Sequence, residues 1–229
     1  MKQRVLTIAL ALLAVVLSGC ATPTNMAFAD DGQRVTENSK PIFLMTATLK
    51  NNYKPSYQPK LIVVNVEKAG AKEAADRLNF TTDEKAANTA VPADAGNSYL
   101  IRLELEAGRY EIQGLTSTAS SFPFNAFFFA PLHAQVDVNK PGVYYLGHVA
   151  ATVRERQGEE FKAGPSVPLV DQAVAGASGG TFDVEISDQF ATDEAIFRSK
   201  FPALAGVTIQ KAVLPAFDRA KAQQWWAAN

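Results

Sequence analysis

Residues 98–115, SYLIRLELEAGRYEIQGL, place Tyr99, Ile101, Leu103 and Leu105 at every second position, with Arg102, Glu104 and Glu106 between them. The pattern resumes at Tyr110 and Ile112. A period of two marks a strand with one buried face. A two-residue loop at Ala107-Gly108 sets Leu105 opposite Tyr110 and Leu103 opposite Ile112, so a hairpin is predicted. Residues 132–138 and 143–153 repeat the arrangement: Leu132, Ala134, Val136 and Val138, then, past Asn139-Lys140-Pro141-Gly142, Val143, Tyr145, Gly147, Val149, Ala151 and Val153. This predicts a second hairpin.

Further strands are expected at Pro41 to Lys50, at Lys60 to Glu67, where LIVVNV is apolar on both faces, and at Thr181 to Ile186. Residues 68–97 read as a long excursion with a short helix near 71–78, and residues 160–180, rich in glycine and proline, as loop. Thr192 is a suitable N-cap for a helix whose apolar stripe is Ile196, Phe197 and Phe201 and which Pro202 ends. Val207 to Val213 suits a short edge strand, and Pro215 opens a last helix through Trp226. The fold class is therefore mainly β with one or two short C-terminal helices.

The Gly108-Arg109-Tyr110 turn into a strand and the later Pro141-Gly142-Val143-Tyr144-Tyr145-Leu146-Gly147 resemble the turns of bacterial envelope lipoproteins built on a transthyretin-like or carboxypeptidase-regulatory-like β-sandwich. That resemblance implies an antiparallel β-sandwich over residues 41–186, a helical extension over 187–229 packed on it, and a binding or structural role without a reaction.

The N-terminus changes the picture. Lys2 and Arg4 precede an apolar run from Val5 to Leu17, which Ser18 and Gly19 close, the layout of a secretory signal peptide. The run is shorter than the roughly 20 apolar residues of a membrane-spanning helix. Leu17-Ser18-Gly19-Cys20 resembles the lipobox of bacterial lipoproteins, which implies cleavage after residue 19 and acylation of Cys20. Alanine at position 21, where inner-membrane retention is associated with aspartate, implies the outer membrane, on its periplasmic or surface face. Residues 20–40 are polar and aperiodic, and suit a flexible tether spanning about 25 Å.

Loss of Lys2 and Arg4 with the signal leaves 20 basic and 23 acidic residues, a net charge of −3, and gives no ground for nucleic-acid binding. Cys20 is the sole cysteine, so packing rather than a disulfide must hold the domain.

Candidate chemistry is sparse. Gly176-Ala177-Ser178-Gly179-Gly180 matches G-x-S-x-G, but a nucleophile elbow needs a strand before the serine and a helix after it, and here a loop leads into a strand. His133 and His148 are the only histidines. Opposed across the second hairpin they would be metal candidates, provided another ligand joined them; as a solvated or hydrogen-bonded pair they would carry no metal. Phe122-Pro123-Phe124-Asn125-Ala126-Phe127-Phe128-Phe129 reads either as a strand buried on both faces or as a patch for a partner, with Phe127, Phe128 and Phe129 as contact candidates. Trp225 and Trp226 pose the same choice between capping the core and meeting a partner. Asp137, Asp171, Asp183 and Glu185 form no pair.

The function expected is that of a non-enzymatic lipoprotein, attached to the membrane through Cys20, that binds or scaffolds another envelope component without a cofactor. The alternatives are a periplasmic small-ligand or metal binder and a hydrolase using Ser178.

Overall fold

The structure is a computed structural model. It describes residues 21–229 apart from 31, 37, 90–94, 123, 139 and 166–172. The signal, the lipobox with Cys20, and Asp171 lie outside the described residues. Among the described residues there is no helix long and apolar enough to cross a membrane.

Among the described residues, ten strands and two short α-helices follow one another: β1 (Thr22–Asn25), β2 (Ile42–Asn51), β3 (Lys60–Lys68), β4 (Arg77–Thr81), β5 (Asn97–Glu104), β6 (Gly108–Ser121), β7 (Phe124–Val138), β8 (Val143–Glu155), β9 (Gly180–Ser187), α1 (Phe190–Lys200), β10 (Ile209–Lys211) and α2 (Arg219–Ala228). One sheet has the order β1-β4-β3-β6-β7; the other has the order β10-β8-β2-β5, with β9 also on β8. Both sheets are mixed rather than antiparallel, because β1 runs parallel to β4, and β2 and β10 run parallel to β8. Inward side chains from both sheets, among them Met45, Val64, Phe80, Ile101, Ile112, Phe128, Val149 and Phe182, form one core.

Neither predicted hairpin exists. The inward faces of β5, β6 and β7 are as expected, but β8 changes face at a bulge near Gly147: Val143 and Tyr145 point into a second cluster, and Leu146, Val149, Ala151 and Val153 into the shared core. β5 pairs with β2 and β6 with β3 and β7, so the chain passes from one sheet to the other at Leu105 to Gly108. β7 and β8 likewise lie in different sheets. Tyr99, Leu103, Leu105, Tyr110 and Ile112 all enter the shared core. Two strands of one sheet and two strands of facing sheets can bury the same alternate residues, and periodicity does not separate the cases. The long hairpin is β6–β7, whose pairing closes at Ser121↔Phe124.

A second apolar cluster lies beyond the sandwiched core, where Leu44, Leu100, Val143 and Tyr145 meet Phe197, Phe201 and Leu204. It explains why β5 is buried on both faces. The expected tether is part of this packing. β1 pairs with β4 in register Thr22↔Leu78, and Met26, Ala27 and Phe28 are 3, 3 and 2% exposed. Burying a side chain such as Met26 or Phe28 contributes about 1.5–3 kcal/mol, enough to order a short polar segment.

The helix ends also shift. α1 begins at Phe190 rather than after Thr192, with the Asp188 carboxylate accepting from the Phe190 amide at 3.0 Å. α2 begins after Asp218 rather than at Pro215, because the Asp218 side chain accepts from the Lys221 amide at 2.9 Å. The expected helix near 71–78 is one 3-10 turn, Ala74–Asp76, running into β4.

Candidate functional site

The structure separates the two histidines and places each beneath a C-terminal helix. Between Ile112↔Ala134 and Gly114↔Pro131 the β6–β7 register slips, so that Leu132 and His133 together face Gln113. This is a β-bulge, and His133 sits in it at φ 48°. Bulges re-aim side chains, and here the imidazole is turned under α2. Its ring lies 4.9 Å from that of Trp225, which in turn lies 5.5 Å from that of Phe129.

His133 Nδ1 is 2.9 Å from Glu111 Oε1, and the Lys221 ammonium donates to Glu111 Oε2 at 2.9 Å and to the His133 carbonyl at 2.6 Å. Burial pushes the Glu111 carboxyl up, but the hydrogen bonds from Lys221 and His133 outweigh it and hold the group below the usual carboxylate range. An ionised carboxylate only accepts, so Nδ1 carries the hydrogen. In the neutral ring, Nε2 is then the bare nitrogen, and it is buried without a hydrogen-bond partner. Beside this cluster, a cavity of about 300 Å³ is bounded by Leu132–Gln135, Ile186, Pro215–Asp218 and Lys221.

His148 belongs to a different assembly. Its Nδ1 is 2.8 Å from Thr46 Oγ1, Thr46 donates to Asp193 Oδ2 at 2.5 Å, and the Tyr145 hydroxyl donates to the same oxygen at 2.6 Å. With the Thr46 hydrogen committed to the carboxylate, His148 Nδ1 is the donor to Thr46. Asp193 lies in the first turn of α1, where the helix dipole favours an anion, and is 4% exposed. The cluster docks α1 on β2 and β8. Burial lowers the His148 pKa against the opposing pull of Asp193 and Glu185, and raises that of the Tyr145 phenol, reinforced by Asp193.

The histidines therefore do not form a cross-strand pair, and among the described residues there is no group of three or more His, Cys, Asp or Glu side chains placed to hold a metal. Ser178 lies in a turn over residues 173–179 that feeds directly into β9, so a strand and not a helix follows it. Asp183, expected on a solvated strand face, is exposed there and joins Arg154, Glu160 and Arg219 in an ion network that ties β8 and β9 to the start of α2.

The phenylalanine run is neither a buried strand nor a continuous patch. Phe128 is fully buried in the core and so is not a partner contact, whereas Phe127 is 49% exposed. Phe129 and Trp225 are half-buried against each other, and Trp226 packs on the core, so both tryptophans serve the fold. The exposed aromatics gather at the hairpin tip, where Phe122 is 98% and Phe124 39% exposed. Sequence reasoning missed Thr46, Glu111, Asp193 and Lys221. The single available signal was two histidines near isolated polar positions in apolar strands.

Comparison with known proteins gives no match: no family model, no curated protein and no solved structure is similar to this chain.

Proposed function

We propose that this chain is an envelope lipoprotein, acylated on Cys20 and held on the outer membrane, whose β domain is a non-catalytic binding or scaffold module for another envelope component. The two facing sheets support the finer reading of a β-sandwich related to transthyretin-like lipoprotein domains.

One relationship carries the functional reading. In the first sheet Thr22 is level with Leu78, Leu78 with Val66, Val66 with Ile112 and Ile112 with Ala134. The hairpin tip lies ten residues beyond Ile112, about 33 Å along the strand. An anchor at Cys20 would thus tie down one end of the sheet and present the aromatic tip at the other. Both imidazoles, meanwhile, are engaged at Nδ1 by a side chain of the neighbouring strand, Glu111 for His133 and Thr46 for His148, which in turn bonds a helix, a structural use of the groups best suited to chemistry at neutral pH.

Mass spectrometry of the protein from its native envelope tests the anchor. The expected N-terminal peptide begins at an acylated Cys20, and Cys20→Ala should leave the membrane fraction; an unmodified, uncleaved N-terminus would overturn the reading. Crosslinking in intact envelopes tests the scaffold role, with a stoichiometric adduct expected.

Small-ligand binding is the second reading. A cleft of about 350 Å³ beside Glu111, lined by Lys68, Arg109, Gln113, Gln135 and Asp137 among others, favours a polar ligand. A ligand-dependent rise in melting temperature without a crosslinked partner would select it.

A further inference from the structure

The β6–β7 hairpin outruns its sheet. β3 accompanies β6 only as far as Lys60↔Thr118, and the last three rungs, Ala119↔Ala126, Ser120↔Asn125 and Ser121↔Phe124, join β6 to β7 alone. Beyond them Phe122 is 98% exposed, with Phe124 at 39% beside it. A phenylalanine so fully in water at a convex turn contributes nothing to the core.

The hairpin is also free of formal charge over a long stretch. From Ile112 to Val136, 25 consecutive residues, there is no Asp, Glu, Lys or Arg. The nearest charges on the two strands, Glu111 and Asp137, lie at the opposite end, level with Gln135 and Arg109. Backbone pairing continues to Ser121↔Phe124, so the inward-facing peptide groups of the tip keep their partners, while those on its two outer edges confine it to the hydrated interfacial layer. Ser120, Ser121 and Asn125 just behind the aromatics set a shallow limit to entry.

We propose that Phe122 and Phe124 insert into the interfacial layer of a lipid bilayer, making the hairpin tip a second membrane contact independent of any lipid on Cys20; with both ends of the first sheet on one leaflet, its long axis would lie along the membrane. A lipid surface yields around a single protruding tip and demands no charged partner, which matches an uncharged convex hairpin. A protein partner would have to offer a pocket shaped to the tip. Lys60, exposed and level with Thr118 at the base of these rungs, is placed to meet phosphate headgroups as the aromatics enter.

The test reads the tip rather than the whole chain, so that membrane attachment through the N-terminus does not confuse it. The full chain carrying Phe122→Trp is mixed with phosphatidylcholine–phosphatidylglycerol vesicles, with and without bromine on the acyl chains. The expected result is a blue shift and bromine quenching exceeding that of the parent chain, whose tryptophans are Trp225 and Trp226, and persisting in high salt. Emission at position 122 that stays that of an indole in water while the chain sediments with vesicles would overturn the proposal. A photoreactive phenylalanine analogue at 122 in intact envelopes provides the second measurement. Lipid adducts support the proposal, and adducts confined to one protein species overturn it. Neither result depends on whether Cys20 is acylated.

Discussion

Tyr145 of β8 donates its phenolic hydrogen bond to the Asp193 carboxylate of α1 at 2.6 Å, with both residues buried. Thr46 shares the same oxygen, so one carboxylate fixes the angle at which α1 lies on the second sheet. Asp193→Ala removes the common acceptor and strands two buried hydroxyls. The expected loss is about 2–4 kcal/mol, at a penalty of about 1–3 kcal/mol for each unsatisfied group. Tyr145→Phe, which leaves Thr46 in place, should cost about 1 kcal/mol. Urea unfolding followed by far-UV circular dichroism gives both values, and equal losses would show that the carboxylate is not shared.

Stability should fall in two separate acid windows. Burial holds His148 neutral in the folded state, so the unfolded chain binds the proton more readily. Stability contributed by the neutral ring is present above the unfolded pKa, about 6.5, and declines as the pH drops below it. The Arg154 guanidinium, followed by the Gln157 amide and Arg219, pulls the Glu160 carboxyl down to about 2 from an ordinary 4.5. Its contribution is present above 4.5 and is lost between there and about 2. Urea midpoints across pH 8 to 2 should show both declines, and His148→Gln should abolish the upper one while sparing the lower.

Arg102 has no exposed surface, yet it carries a charge in the interior. It donates to the carbonyls of Ala27 at 2.7 Å and Leu100 at 2.9 Å, pairs with Asp83, and lies over the ring of Phe201 at 4.4 Å. Arg102→Ala should cost about 3–5 kcal/mol, because Asp83 is left without its counter-charge. Hydrogen exchange should accelerate first at Ala27, whose amide bonds the Arg102 carbonyl, since the segment after β1 is held to β5 there.

His133 occupies a left-handed backbone position that asparagine tolerates and β-branched residues resist. His133→Val should therefore be less stable than His133→Asn by about 1–2 kcal/mol. Both should shift the fluorescence of Trp225, whose ring rests on the imidazole. Equal stabilities would show that the bulge relaxes when histidine leaves.

Much of the fold was legible strand by strand, and little of it pair by pair. β2, β3 and β9 lie within a residue or two of their expected bounds because their β-branched and aromatic runs end at Asn, Pro, Gly and Asp. Pairing was not legible, since Leu103 and Ile112 face the same core from different sheets. Arg102 stood where alternation calls for a solvent-facing residue, and of the groups that make its burial tolerable only the Leu100 carbonyl is near in sequence, whereas Phe201, Ala27 and Asp83 are distant. The true turn, between Ser121 and Phe124, lacks the Asn-Gly or Asp-Gly pair that announces a tight hairpin. The His133 cluster depends on that turn, on a one-residue slip and on a helix almost ninety residues away, as the Lys221 contact shows.

β1 begins at Thr22, two residues after Cys20, and two residues of extended chain span about 7 Å at most. Should acyl groups enter the leaflet at that cysteine, the sheet would have almost no slack with which to swing. Its long axis would hold a narrow range of inclinations to the bilayer normal, and thermal wobble of the lipid would move the whole body together. Lengthening the junction by inserting glycines after Ala21 would then change where the far end is found without altering a single contact inside the domain.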